Sequence, residues 1–336
     1  MFMKSHIFIT GATGLIGSNL TKELVKQGHH VTILKRKDSH HPFLKSLHIN
    51  VIEGDLTNRD LLQKSMNGCD TIYHLAAKIS FLKRDYPELH KVNVLGTRNL
   101  LEAALNCKVK KFVHASSITA IAPPSAHQRL LTEKTIFPFS EKKPSYAYSK
   151  WLAEQEVFCA SQKGLNASIA NISSVYGQGE MSLNMGRLIQ TIYTKPVFIA
   201  PPGGCSVIAV DDVVTGLIAL AQRGQSRERY ILTNENLPYQ HIFSTIAQIV
   251  KNRPIKITIP KITAYPAIVS AKILEHVFSP LVQSSRIISE DIVKSLFRHR
   301  YADNTKAREK LAWKPQVSFK TAVEKAFAFY QTQKLF

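Results

Sequence analysis

Eight residues near the N-terminus, Thr10-Gly11-Ala12-Thr13-Gly14-Leu15-Ile16-Gly17, limit what this chain can become more than any other stretch. They follow a short β-rich run, His6-Thr10, and open a segment of helical periodicity. Glycines at such a junction suit a tight turn at Gly11, a close backbone approach at Gly14 and close helix-strand contact at Gly17. A strand feeding a helix this way also aims free N–H groups at whatever anion sits on the helix start. The spacing therefore predicts a dinucleotide pyrophosphate cradled by Gly11, Thr13, Gly14, Leu15, Ile16 and Gly17.

The rest of the first half repeats the alternation. Strands are expected near His6-Thr10, His30-Leu34, Asn50-Glu53, Thr71-Leu75, Lys111-Ala115 and Asn166-Ile172, with helices starting near Gly14, Arg59, Tyr86 and Pro144. Strands separated by helices pair in parallel, so the fold class is α/β, a doubly wound parallel sheet of the Rossmann type. Beyond Ile172 the alternation fades into Pro196, Pro201, Pro202, Gly203 and Gly204, before a helix over Asp211-Gln222 and a strand at Arg229-Thr233. The reading is a dinucleotide-binding domain over residues 1–175 that returns at 205–235, with a smaller substrate-binding part from 176–204 and 236–336.

In an open parallel sheet, ligands meet the carboxyl ends of the strands. After the second strand stands Leu34-Lys35-Arg36-Lys37, with no acid to accept the ribose hydroxyls of NAD. Lys35 or Arg36 would instead pair with the extra phosphate of NADP, so NADP(H) is favoured, while Asp38 keeps NAD(H) open. Gly54-Asp55-Leu56 brings Asp55 and Leu56 towards the adenine, and Leu75, Ala76 and Ala77 offer small residues where backbone must approach the nucleotide.

The sharpest chemical signal is Ser145-Tyr146-Ala147-Tyr148-Ser149-Lys150. At the start of a helix Tyr146 and Lys150 share a face, and an ammonium beside a phenol favours phenolate, lowering its pKa towards neutrality. Tyr148 is followed at the same spacing by Leu152, which carries no charge. Ser116 and Ser117 end the fifth strand; Ser117 is the first choice to orient a substrate oxygen, with Ser116 and Thr119 as substitutes. Asn93, on the preceding helix, either holds a water near Lys150 or supports the sheet.

Charge and composition narrow the partners. Lys and Arg exceed Asp and Glu by 44 to 24, and the resulting +20 divides into +10 for each half of the chain. A nucleic-acid binder concentrates its cations on one stripe, and no finger, zipper or RNA-binding signature is present, so no nucleic-acid partner is expected. The dispersed charge favours anionic small molecules or anionic lipid. Four cysteines, Cys69, Cys107, Cys159 and Cys205, lie far apart, which signals neither a zinc site nor a disulfide framework. The N-terminus lacks the apolar stretch of a signal peptide, which predicts a cytoplasmic protein. Ile262 to Val282 is apolar but broken by Pro266, Lys272, Glu275, His276 and Pro280, too short a run to span a bilayer and suited to peripheral membrane contact.

Taken together, Thr10 to Gly17, Gly54-Asp55-Leu56, Tyr73-His74-Leu75-Ala76-Ala77, Asn93 to Ala103, Ser116-Ser117, Tyr146-x-x-x-Lys150 and Val175-Tyr176-Gly177 resemble the extended short-chain dehydrogenase/reductase family, also called the NAD-dependent epimerase/dehydratase family. The likeness covers nearly the whole chain. Within the family, Lys35-Arg36, Asp211-Asp212-Val213, Glu228 to Leu232 and Asn234-Glu235-Asn236-Leu237 look most like the dihydroflavonol reductase-like branch and a bacterial group of hopanoid-associated sugar epimerases. The resemblance implies a Ser117-Tyr146-Lys150 site with a pocket closed by the C-terminal part, a cofactor contact at Ser173, and a homodimer built on the helices beginning near Tyr86 and Pro144. One departure stands out: many relatives carry Arg and Pro before Val-Tyr-Gly, where this chain has Asn171-Ile172-Ser173-Ser174.

The expectation is an NADP(H)-dependent carbonyl reductase or alcohol dehydrogenase acting on a small hydrophobic molecule, with Phe81, Tyr86, Phe137, Phe139, Tyr193 and Phe198 as candidates for an apolar pocket. An NAD-dependent nucleotide-sugar epimerase or dehydratase would use the same triad and would need diphosphate contacts, for which Arg187, Arg223, Arg227 and Arg298 are available. A non-catalytic dinucleotide sensor is the third reading.

Overall fold

The computed structural model describes residues 4–39, 41–121, 130–138, 144–195, 200–251 and 296–336. Phe139, Phe198 and the apolar run Ile262 to Val282 lie outside them. The central sheet has seven parallel strands in the order β3-β2-β1-β4-β5-β6-β9. They are β1 (His6–Thr10), β2 (His30–Lys35), β3 (Asn50–Glu53), β4 (Thr71–His74), β5 (Lys111–Ser117), β6 (Ala167–Ile172) and β9 (Arg229–Leu232). The order reverses between β1 and β4, and this switch point opens a crevice at the strand ends.

Helices cover both faces, which is why the strands are apolar on both sides rather than alternating. On one face α1 (Leu15–Lys26) and α7 (Val210–Arg223) bury Leu20, Leu24, Val213, Leu217 and Leu220 against Ile7, Ile9 and Tyr230. On the other, α2 (Arg59–Ser65), α4 (Gly96–Asn106) and α5 (Tyr146–Gln162) bury Leu62, Leu100, Leu101 and Val157 against Phe8, Ile72 and Phe112. Burying each such side chain is worth about 1.5–3 kcal/mol.

Two local departures from the expected elements matter for the site. β5 runs two residues beyond the expected Ala115, because Ser116 and Ser117 pair with Asn171 and Ile172 of β6. The helix that starts at α3 (Tyr86–Leu89) widens to a π-helical stretch over His90–Leu95 before α4 resumes. Asn93 sits in that widened turn, where its carbonyl accepts the Thr97 hydroxyl at 2.6 Å.

After β6 the chain leaves the sheet. Strands β7 (Ser174–Tyr176), β8 (Gly204–Ala209), β10 (Glu235–Pro238) and β11 (His299–Arg300) form a second, four-stranded sheet in which β8 pairs with the other three. Against it pack α6 (Gly186–Thr194), α8 (Tyr239–Lys251) and α10 (Phe319–Thr332), around Ile189, Ile192, Ile242, Ile246, Phe319 and Val323. A short α9 (Thr305–Lys310) lies beside β9.

One buried carboxylate holds this lobe together. Glu180, 3% exposed, accepts the backbone N–H of Asn184 (2.7 Å), Met185 (3.0 Å) and Gly186 (2.8 Å) at the start of α6, and the Tyr330 hydroxyl of α10 at 2.8 Å. Replacing it with alanine strands three N–H donors, and buried donors without partners are expensive. Glu180→Ala is expected to cost about 2–4 kcal/mol in urea-induced unfolding; a loss below about 0.5 kcal/mol would show that the lobe is held without it.

Candidate active site

The crevice is built first by glycines. Gly11 has φ of +74°, and a Cβ there would stand 2.6 Å from the Ala76 nitrogen on the chain leaving β4. A Cβ on Gly17 would come within 2.1 Å of the Gly11 carbonyl oxygen, so α1 can lie this close to the turn only without a side chain at that position. Gly14 is exposed and no side chain caps α1, which leaves the first N–H groups of the helix open at the switch point. Thr13, Leu15 and Ile16 surround this opening, half-buried. These residues fit a dinucleotide pyrophosphate. Gly17→Ala should lower the thermal midpoint and abolish nucleotide binding by calorimetry; unchanged affinity would contradict the cradle.

At the neighbouring strand ends, Asp55 accepts both the backbone N–H of Thr57 (2.7 Å) and its hydroxyl, and these bonds hold its carboxyl below the usual range. Leu56 is buried, Leu75 and Ala76 are half-buried and Ala77 is exposed. Lys35 departs from expectation: its ammonium pairs with Glu53 of the adjacent strand at 2.7 Å. Parallel register sets Lys35 opposite Glu53, while Arg36 and Lys37 beyond it are exposed and the Arg36 charge acts on Asp55 at the neighbouring strand end.

Beneath the crevice runs a fixed chain of hydrogen bonds. Thr97 donates to the Asn93 carbonyl, so His74 Nε2 must donate to Thr97 Oγ1 (2.8 Å), and His74 Nδ1 then accepts from Thr10 Oγ1 (2.7 Å). Burial keeps this imidazole neutral, with its pKa down to about 3. The widened helix turn is thereby locked to the strand that carries the glycine turn.

At the other side of the switch point Ser145 caps α5, its hydroxyl accepting the Tyr148 N–H at 3.1 Å. The cap makes Tyr146 the first helical residue and aims it at the end of β5. Ser117 Oγ accepts from the Thr119 N–H (3.2 Å) and hydroxyl (3.0 Å), so its own proton is free to turn towards the Tyr146 oxygen, whose pKa it draws down. That leaves the Tyr146 proton for a third atom. Lys150, 2% exposed, donates to the Ala115 carbonyl at 2.7 Å.

The electrostatics correct one expectation. Burial pushes the Tyr146 phenol up to about 12, against the Ser117 hydrogen bond, instead of the ammonium drawing it down. Burial likewise lowers Lys150 to about 8, opposed by the Glu154 carboxylate. Lys150 is buried under the sheet edge and Tyr146 half-buried beside it, and for both the loss of solvent is the larger cause.

Other candidates separate. Ser116 points the opposite way from Ser117, onto Glu154, and so is no substitute for it. Asn93 is fully engaged: its side chain exchanges hydrogen bonds with the Lys78 backbone (2.8 and 3.0 Å) and donates to Ser149 at 3.0 Å, a support for the sheet end and α5 rather than a water holder near Lys150. Ser173 is buried, with its N–H on the Leu232 carbonyl. Phe81, 43% exposed, meets the Tyr146 ring edge-on at 5.8 Å, with Ile79, also exposed, two residues before it. Phe137 stacks on Trp151 and lies tilted against Tyr148, while Tyr193 lies against Phe327 and Phe336 in the C-terminal lobe. Arg223 and Arg227 are spent on the carbonyls of Leu311 and Ser161. Sequence reasoning missed Glu53, the His74 chain and Glu154, although Glu154 stands at helical spacing from Lys150. Among the described residues no cluster of metal ligands occurs, and no helix is long and apolar enough to cross a membrane.

Comparison with known proteins places this geometry. Residues 7–232 match the model of the NAD dependent epimerase/dehydratase family. The chain is 33% identical over 334 residues to a Synechocystis protein bearing the provisional name dihydroflavonol 4-reductase, covering 98% of this chain and 95% of that one. It is 29% identical over 323 residues to the 4-hydroxy-2-methyl-3-oxo-4-farnesyl-3,4-dihydroquinoline-1-oxide ketoreductase of Stigmatella aurantiaca, covering 94% of each. Among solved structures, that of gox2253 superimposes with a TM-score of 0.85 at 28% identity, over 98% of this chain and 99% of the other.

Proposed function

This chain belongs to the NAD-dependent epimerase/dehydratase family, and from that membership we propose that it is an NADP(H)-dependent reductase of a hydrophobic carbonyl compound. It is an NAD(P)-dependent enzyme of the short-chain dehydrogenase/reductase type. The direction and the substrate class are our reading. Its main support is the phenol of Tyr146 at the end of β5, acted on by the Ser117 hydroxyl and met edge-on by the exposed Phe81 ring.

When bound, the nicotinamide supplies the hydride. The chain's own residues do the rest. A phenol titrating near 12 keeps its proton at neutral pH and can deliver it to the oxygen of a carbonyl as that oxygen gains charge. Ser117, turning its hydroxyl between Tyr146 and the same oxygen, orients the carbonyl. Lys150 keeps an ammonium beneath the site, would support the phenolate left after transfer and, with the nucleotide bound, would hold the nicotinamide ribose. Phe81 and Ile79 exclude water from the apolar side of the substrate. Ketoreductase and reductase names among the relatives agree with this direction.

For the nucleotide, Arg36 is the residue that would meet the 2′-phosphate, since Lys35 is held by Glu53. Arg36→Ala should weaken NADPH binding about tenfold and leave NADH unchanged in fluorescence titrations, the size expected of one charge-assisted phosphate contact. Equal losses for both nucleotides would remove the NADP preference. NAD that copurifies and resists exchange would instead favour an epimerase or dehydratase that recycles its own nucleotide.

Turnover is tested by NADPH oxidation with a panel of aryl ketones, cyclic ketones and β-keto esters. Tyr146→Phe should reduce kcat about 10²–10⁴-fold and spare NADPH affinity; wild-type turnover in that variant would end the assignment. Lys150 must be protonated to act, so kcat should hold at neutral pH and fall as pH rises through about 8. A rate that is flat to pH 10 would separate Lys150 from the reaction.

A further inference from the structure

Glu154 stands one helical turn beyond Lys150 on α5 and has no exposed surface. A carboxylate withdrawn from water persists only where donors and cations take the place of solvent. Here the Ser116 hydroxyl and Asn171 Nδ2 (2.6 Å) donate to Oε1, and Arg229 Nη1 stands 3.4 Å from Oε2. The same Asn171 nitrogen also donates to the Ser117 carbonyl at 3.1 Å. The carboxylate is thus tied twice to the last two residues of β5, directly at Ser116 and through Asn171 at Ser117.

Lys150 has its own claim on that charge. Its ammonium is bonded to a neutral carbonyl, Ala115, which offers no counter-charge. His114 faces it from β5 and His74 lies beyond on β4; burial holds both imidazoles neutral. Tyr146 keeps its proton. Among the described residues Glu154 is the carboxylate whose charge acts on Lys150; burial raises its carboxyl, and Arg229 from β9, Ser116 and Asn171 draw it back towards the charged form.

We propose that Glu154 is a positioning residue for this site, its buried carboxylate supplying the counter-charge to Lys150 while fixing, through Ser116 and Asn171, the strand end that carries Ser117. The inference rests on the Ser117-Tyr146-Lys150 reading above. It also gives a role to Asn171: an amide with two donors can bridge a carboxylate and a backbone carbonyl at once.

Two variants separate the two functions. Glu154→Gln keeps an acceptor for Ser116 and Asn171 but removes the charge; Asn171→Ala keeps the charge but cuts the link to Ser117. In protein labelled with ¹³Cε-lysine, the Lys150 resonance, identified by its loss in Lys150→Met, should titrate about one pH unit lower in Glu154→Gln than in the wild type. The alkaline limb of kcat, measured with the fastest ketone of the panel, should move down by the same amount. Asn171→Ala should leave the Lys150 titration in place and lower kcat about tenfold with NADPH affinity unchanged, the signature of lost orientation.

A purely structural Glu154 would lower the thermal midpoint of both variants and move neither the titration nor the limb. A folded Glu154→Gln protein with an unmoved Lys150 resonance overturns the proposal, as does wild-type kcat in Asn171→Ala. The resonance needs no substrate: a shifted Lys150 in a protein that reduces no ketone would sink the reductase reading alone, and ketone reduction with an unshifted Lys150 would sink this inference alone. Should Glu154→Gln fail to fold, linkage supplies the reciprocal measurement. Lys150→Met must then raise the titration of the Glu154 carboxyl, followed by ¹³Cδ-glutamate labelling, and an unmoved carboxyl would be fatal.

Discussion

Placing an ammonium where water cannot reach it is the constraint around which this molecule is arranged. Lys150 is 2% exposed, under the end of a sheet covered on both faces, and its charge survives there only through the Ala115 carbonyl and a carboxylate one turn away. Each of those partners needs its own support. Ala115 is fixed by β5 running between β4 and β6; Glu154 is fixed by Ser116, Asn171 and Arg229, which come from β5, β6 and β9. Four neighbouring elements of one sheet face are thus committed to a single charge. Such a buried network is costly to leave half satisfied, which rigidifies the strand ends that Ser117 and Tyr146 depend on.

The same logic explains what could be read in the sequence and what could not. The glycine turn, the positions of the first-half strands and the Tyr146-Lys150 pair are local: each is a spacing along one strand or helix, and periodicity reports it directly. Lys35 is different. As a residue it promised a phosphate contact, yet the parallel register that sets it against Glu53 joins positions eighteen apart, and nothing in either segment announces the pairing. The phenol of Tyr146 is a related case. Spacing says that a lysine lies near, whereas the pKa depends on how much water is left, and that is decided by Phe81 and the strand ends around the ring.

Asn93 shows the limit in a third way. Its side chain could have held a solvent molecule, but the helix widens at His90–Leu95 and turns the amide onto the Lys78 backbone and Ser149. Widened turns of this kind recur at functional sites because they re-aim one residue without breaking the helix. Here the displaced carbonyl also receives Thr97, and through His74 the widened turn is coupled to Thr10 at the foot of the glycine turn.

That chain has a counterpart on the opposite face. Asn19 of α1 donates to the Gln178 carbonyl at 2.9 Å, and His41 Nε2 meets the Gly179 carbonyl at 2.7 Å while its Nδ1 accepts the Phe43 N–H. The Gln178-Gly179 turn leads straight into Glu180, the carboxylate that starts α6 and anchors α10. The helix whose N-terminus lies open at the switch point is therefore bolted to the turn that enters the C-terminal lobe, two residues before Glu180. A nucleotide that settles α1 also steadies the turn entering that lobe, since the same Asn19 side chain bonds both the Leu15 carbonyl at the helix start and the Gln178 carbonyl of the turn.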